Sequence, residues 1–214
     1  MPVQLLFDLL KGVGVGIVIA LPVGPVGVLC IRRTLFEGAS YGFISGLGAA
    51  TADTVFGIIA GFGLTILRDF LLGYQDWLGA LGGLFLIAVG IKALLTPGDI
   101  EPEPVEDEAL FAAYASTFAL TITNPITILA FAGIFAKVGV SEGAGFLDTG
   151  VLVGGVFLGS LLWWLGLSFG IAGVRRAAGT VRLAGLNRVS GALLTLSGMG
   201  LLIAALLAFA GIPV

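Results

Sequence analysis

Apolar residues recur in long runs along this chain, and charged positions fall mostly between the runs. A helix needs about 20 apolar residues to cross the hydrocarbon core of a bilayer. By that length the pattern predicts six spans, at roughly 5–31, 40–67, 77–95, 110–136, 147–173 and 189–210. Between the third and fourth, residues 96–109 read as a solvated linker. There Pro97, Pro102 and Pro104 alternate with Asp99, Glu101, Glu103, Glu106, Asp107 and Glu108, and prolines with like charges forbid a packed helix. The chain thus divides into a first repeat over 1–95, an acidic linker over 96–109 and a second repeat over 110–214.

Two runs are interrupted from within. Leu21-Pro22-Val23-Gly24-Pro25-Val26-Gly27 breaks the first, and Thr123-Asn124-Pro125-Ile126-Thr127 breaks the fourth. Proline removes a backbone donor and clashes with the preceding turn. In lipid the polar groups so freed must find protein or water partners. Paired breaks in corresponding halves point to a transporter binding site.

Pro25 and Pro125 differ by 100 positions, while Gly46/Gly154, Gly83/Gly191 and Gly90/Gly198 each differ by 108. The extra eight residues fit a longer loop at about 138–146. Three spans per half is an odd number, so the second half must lie inverted relative to the first. The predicted fold class is therefore an all-α integral membrane protein whose six transmembrane helices form an inverted repeat of two three-helix halves.

Composition agrees with the pattern. Apolar residues make up 58% of the 214 positions and charged residues 11%, against about 25% charge in soluble domains. There is no histidine and a single cysteine, Cys30. That excludes an internal disulfide framework, a two-thiol redox relay and the commonest transition-metal ligand. No cofactor and no metal site is expected, nor a nucleic-acid partner. The first run is too long for the apolar core of a signal peptide and is expected to be retained as a span.

Basic residues set the expected orientation. Arg32, Arg33, Lys92, Arg175, Arg176, Arg182 and Arg188 are assigned to one set of loops, and Lys11, Arg68 and Lys137 to the other. The richer set marks the cytoplasm, which places both termini outside and the acidic linker inside. Trp77 reads as an interface anchor. Trp163 and Trp164 lie deeper and read as packing residues or as the lining of a substrate path.

Asp53 lies about twelve residues into the second span, roughly 18 Å from its start and close to mid-membrane. An ionisable group at that depth is a functional hypothesis by default. Gly42, Gly46, Ala49, Ala50, Gly57 and Ala60 share its helical face, so the carboxyl is expected to meet another helix or a cavity. It either takes up and releases a coupling proton or ties two helices together. The position equivalent to it in the second half is Leu161, so the role is not duplicated. At the breaks, Gly24 allows close backbone approach, and a helix resuming at Pro25 would offer free N–H groups to a carboxylate. Asn124 adds donor and acceptor groups beside Pro125, with Thr121, Thr123 and Thr127 as further hydroxyls. The expected substrate-binding or coupling residues are therefore Pro22, Gly24, Pro25, Asp53, Thr123, Asn124 and Pro125.

The run LPVGPVGVLCIRRTLFEGASYGFISGLGAATAD, from Leu21 to Asp53, resembles the opening of the LysE-type translocators, the lysine and homoserine exporter family. The stretch Thr123-Asn-Pro-Ile-Thr-Ile-Leu129 is similar to that family's second signature, and the resemblance spans essentially the whole chain. Many members carry Pro-Gly-Pro followed by Asn, where this chain has Pro22-Val23-Gly24-Pro25-Val26. The resemblance implies export of amino acids or related small metabolites from a bacterial cytoplasm, driven by an ion gradient, and residence in the inner membrane. It implies no enzymatic activity. A lone carboxylate without clustered acids, a Ser/Lys pair or a second thiol also argues against an enzyme. An exporter of a hard inorganic ion held by oxygen ligands and a non-transporting structural membrane protein are the alternatives. The expected partners are a small-molecule substrate and lipid, with homo-oligomerisation left open.

Overall fold

A computed structural model describes residues 2–21, 24–63, 73–95, 107–124, 127–128, 130–131, 134, 145–178 and 183–210. Seven helices are complete among them: α1 (Pro2–Ala20), α2 (Pro25–Phe36), α3 (Ala39–Gly61), α4 (Gln75–Leu95), α5 (Asp107–Ile122), α6 (Phe146–Ala178) and α7 (Leu183–Phe209). Residues 127–128, 130–131 and 134 are helical as well. The described part of the chain is all-helical. Five of the helices, α1, α3, α4, α6 and α7, are long and apolar enough to cross a membrane, while α5 is an apolar helix of fewer than 18 residues.

Local chemistry sets the helix ends. Gly38 turns the chain from α2 into α3 with φ of 109°, a backbone conformation closed to most side chains. Asp148 caps the start of α6, its Oδ2 accepting the Gly145 N–H at 2.9 Å. Two boundaries differ from the sequence expectation. The helix α5 begins at Asp107, inside the predicted linker, with Glu108 in its first turn; an acidic side chain there complements the positive helix end. The helix α6 runs five residues past the expected 173, to Ala178, because Arg175 and Arg176 suit its negative end.

A third difference matters more. The expectation placed Arg32 and Arg33 in a loop. In the structure α2 continues through both to Phe36, and Arg32 is buried. The cause lies on the neighbouring helices, which supply polar atoms deep enough to receive a guanidinium.

The long helices pack in a defined set of pairs. α1 lies on α6, α3 on both α5 and α6, and α4 on α7. The α3–α6 seam is antiparallel, since a side chain on Gly42 would meet Ser168, one on Gly46 would meet Trp164 and one on Gly57 would meet Val153. The α4–α7 seam is antiparallel too, and tighter. A Cβ on Gly83 would lie 2.7 Å from the Gly198 carbonyl oxygen, and one on Gly191 would lie 2.9 Å from that of Gly90. Such backbone proximity is what small residues make available between membrane helices.

Two apolar clusters fill the interior. One joins Ala20 and Val26, on either side of the first break, to Ala49, Ala50, Leu86, Leu120, Trp164 and Leu194. The other joins Val15, Phe56 and Val156 to Ile128 and Phe131, beyond the second break.

Candidate functional site

The first break separates α1 from α2. Leu21 still donates its N–H to the Ile17 carbonyl, closing α1. Gly24 then takes the N-cap position of α2 in extended conformation, and Pro25 is the first helical residue, where its missing N–H costs no hydrogen bond. The Gly24 carbonyl accepts from Val28 N–H at 3.0 Å, and a Cβ on Gly24 would meet nothing within 4 Å. Among the described residues, nothing crowds the N-terminus of α2 at Gly24. Pro22 lies outside the described residues.

The second break has the same wiring. Thr123 donates its N–H to the Ala119 carbonyl, and the Asn124 carbonyl accepts from Thr127 N–H at 3.1 Å and Ile128 N–H at 3.2 Å. Asn124 thus stands where Gly24 stands, 100 positions earlier. The threonine hydroxyls are less available as donors than the sequence suggests. Thr121 donates to the Thr117 carbonyl at 2.9 Å and Thr123 to that of Ala119 at 2.7 Å, leaving only their lone pairs for a ligand. Pro125 lies outside the described residues.

Asp53 is buried at 3% exposure on the α3 face that meets α6. Its Oδ2 accepts the Ser160 hydroxyl at 2.6 Å. Ser160 is fully buried and is a site residue that sequence reasoning missed. The signal was present, because Ser160 is the lone hydroxyl residue in the run from Gly150 to Leu167. The Ser160 proton engages one carboxyl oxygen and leaves the other to take a proton or an ammonium group.

The same face of α6 carries further polar atoms at helical spacing. Four and eight residues beyond Ser160 lie Trp164 and Ser168, 4% and 1% exposed. Trp164 Nε1, Ser168 Oγ and the neighbouring Trp163 Nε1 are buried without a hydrogen-bond partner among the described residues. An indole N–H can only donate, so two of these three atoms call for an acceptor. Gly42 and Gly46 of α3 face Ser168 and Trp164, and the Thr34 hydroxyl of α2 also closes on Gly42. A line of unsatisfied hydrogen-bonding capacity therefore follows the α3–α6 seam away from Asp53. Buried orphan donors are rare in folded proteins and ask for an explanation.

Arg33 was read from sequence only as an orientation signal. Its Nη1 donates to Ser45 Oγ (2.8 Å), Thr117 Oγ1 (2.8 Å) and the Ala113 carbonyl (3.0 Å), and its Nη2 donates to Ser116 Oγ (2.9 Å). The guanidinium so binds α2 to α3 and α5 through four neutral oxygens. Arg32 instead lies 3.7 Å from Glu37 Oε1 and over the Phe36 ring. Burial pushes the Glu37 carboxyl above its usual range, and Arg33, Arg32 and Lys92 pull it back. The C-terminal ends of α2 and α4 therefore lie on one side of the protein. Ile171, one turn before Arg175, packs against Leu35 and Phe36 on that side as well.

Comparison with known proteins places this arrangement. A Bacillus subtilis (strain 168) protein, YcgF, whose name proposes amino acid efflux, is 27% identical over 191 residues, covering 86% of this chain and 89% of that protein. No solved structure matches the chain. The family model described as LysE type translocator matches residues 17–205, from before the first break to the end of the last helix, and the chain belongs to that family of multi-pass membrane transport proteins.

Proposed function

We propose that this protein is a secondary exporter of amino acids or closely related small metabolites, residing in a bacterial plasma membrane and coupled to a proton gradient through Asp53. The observation that carries the reading is the shared wiring of the two breaks. The Gly24 and Asn124 carbonyls each begin the next helical stretch by accepting the N–H four residues on, and each residue stands directly before a proline. Resumed helix ends of this kind present N–H groups and a positive dipole end to a solute carboxylate. Membership among the translocators and the likeness to YcgF support amino acid export over an inorganic ion.

Six spans in two inverted halves account for the packing. Exchange of the halves maps the α1–α6 pair onto α5–α3 and leaves α3–α6 and α4–α7 unchanged, and all four pairs are present. With the 108-position offset, Gly83 against Gly198 becomes Gly191 against Gly90, the other close approach in that seam. The equivalent leucines Leu86 and Leu194 are both fully buried. The exchange takes the Asp53–Ser160 contact to Leu161 and Ala52, so the carboxylate lies beside the pseudo-twofold axis in one half only. A central site flanked by two inverted breaks can be reached from either membrane face in turn.

Purified protein in proteoliposomes tests the reading. Imposed proton gradients are expected to drive uphill movement of an amino acid. Asp53→Asn is expected to abolish uphill movement while preserving solute exchange at equilibrium. Full gradient-driven transport by Asp53→Asn would remove the coupling role.

A further inference from the structure

Arg33 sits eight residues beyond Pro25 on α2, roughly 12 Å along the helix from the break. It is a half-buried cation, and none of its four hydrogen bonds goes to a carboxylate. Glu37, the acid nearest to it in sequence, is ion-paired with Arg32 and reaches Arg33 through its charge alone. Neutral hydroxyls are weak compensation for a partly desolvated guanidinium, and a carboxylate that pairs with it in bidentate fashion is much stronger. The unused donors favour such a partner. All four bonds come from Nη1 and Nη2, so the Nε–H has no acceptor among the described residues, and the Nε–Nη2 edge is the one that pairs side-on with a carboxylate.

The bonds also have a mechanical meaning. Three of the four acceptors, on Ala113, Ser116 and Thr117, belong to α5, while Ser45 belongs to α3. Contact between α2 and α5 is otherwise slight. The guanidinium is therefore the principal polar link between the helix after the first break and the helix before the second. Its hydroxyl partners keep alternative acceptors in their own turns. Ser116 Oγ bonds the Ala112 carbonyl at 2.6 Å and Thr117 Oγ1 bonds that of Ala113 at 2.9 Å, so neither is orphaned when Arg33 leaves.

We infer that Arg33 is a receiving station for the carboxylate of the exported solute, and that a carboxylate bound on its Nε–Nη2 edge competes with Ser116 and loosens the link between α2 and α5. The inference rests on the proposed amino acid export and adds a second solute contact on the basic side of the protein, ahead of the breaks. Arriving carboxylate replaces a neutral latch with an ion pair, so the solute itself loosens the link that holds the two break-bearing helices together.

The experiment uses the full-length protein in detergent and in liposomes. The twenty standard amino acids are screened by thermal shift, and the strongest ligand is compared with its primary amide, which keeps the amine and side chain but loses the negative charge. The wild type is expected to bind the acid at least tenfold more tightly than the amide. Arg33→Gln is expected to bring the two within about twofold, with Arg33→Lys in between. Ser116→Ala, which removes the competitor on Nη2, is expected to tighten acid binding about threefold or more and leave amide binding unchanged, a result that a purely structural arginine would not give. Undiminished acid preference in Arg33→Gln, or no change in Ser116→Ala, would overturn the station. Absence of any amino acid ligand would overturn it together with the export reading. Uphill transport whose acid preference ignores Arg33 would overturn the station alone.

Discussion

Ser160 and Asp53, 107 residues apart in sequence, share a 2.6 Å hydrogen bond across the antiparallel seam of α6 and α3. Both are buried, and the bond ties α3 to α6. Removing the Ser160 hydroxyl strands a buried carboxyl, at about 1–3 kcal/mol for the lost partner. Ser160→Ala is therefore expected to lower the thermal midpoint while the protein still inserts and purifies. Transport is expected to fall about tenfold, and Ser160→Thr to recover part of it, because the hydroxyl returns. Ser160→Ala with wild-type stability and transport would show that the bond holds nothing in place.

The unpartnered indole N–H of Trp164 separates a ligand contact from a packing role. Phenylalanine keeps the aromatic bulk against Gly46 and removes only the buried orphan donor. If the donor serves no ligand, its removal relieves a desolvation cost of about 1–3 kcal/mol and harms nothing. The expectation from the proposed path is a split result. Trp164→Phe is as stable as the wild type or more so, yet its transport KM rises about fivefold or more. Calorimetry and initial-rate transport on the same preparation read both quantities.

In the α4–α7 seam, the two equivalent close approaches make a quantitative symmetry test. Gly83→Ala and Gly191→Ala each push a methyl group against the backbone of the opposite helix, at 2.7 and 2.9 Å. Overpacking of that kind costs about 1–3 kcal/mol. The inverted repeat predicts similar losses in thermal midpoint for the two variants. Gly200→Ala, where a Cβ would meet nothing within 4 Å, is expected to be neutral. A large loss from one member of the pair and none from the other would argue against equivalent halves.

How much of this could be read from the chain differs by residue. The long apolar helices were legible, because a bilayer demands length and hydropathy that few other environments require. The small-residue stripe on α3 also announced that Asp53 would face a helix, and α6 is the helix it meets. What the sequence could not supply was the partner. Ser160 stands out as the lone hydroxyl in its run, yet only the antiparallel register of α3 and α6 pairs it with the carboxylate. Arg33 shows the converse limit. Two adjacent arginines at the end of an apolar run look like a loop, and only the convergence of Ser45, Ser116 and Thr117 from two other helices makes the position interior. Of the other basic residues counted for orientation, Lys11, Lys92, Arg175, Arg176 and Arg188 also lie within helices, and Arg68, Lys137 and Arg182 lie outside the described residues.

The expected orientation has a direct test. Arg175 and Arg176 lie in the last turn of α6, and Arg176 is exposed. Positive charge at span ends marks the cytoplasmic side, so this end of α6, with the C-terminal ends of α2 and α4, is expected to face inward. Cys30 is buried and is expected not to react with polar reagents, which leaves a clean background for an introduced thiol. Arg176→Cys in intact cells is expected to resist a membrane-impermeant maleimide and to react fully once the membrane is permeabilised. Cysteine at Gly145, ahead of the opposite end of the same helix, is expected to react in intact cells. The reverse pattern would invert the protein in the membrane. It would also place Arg33 on the exit side, where a carboxylate arrives last, so the two labelling reactions decide whether the arginine can act as a receiving station at all.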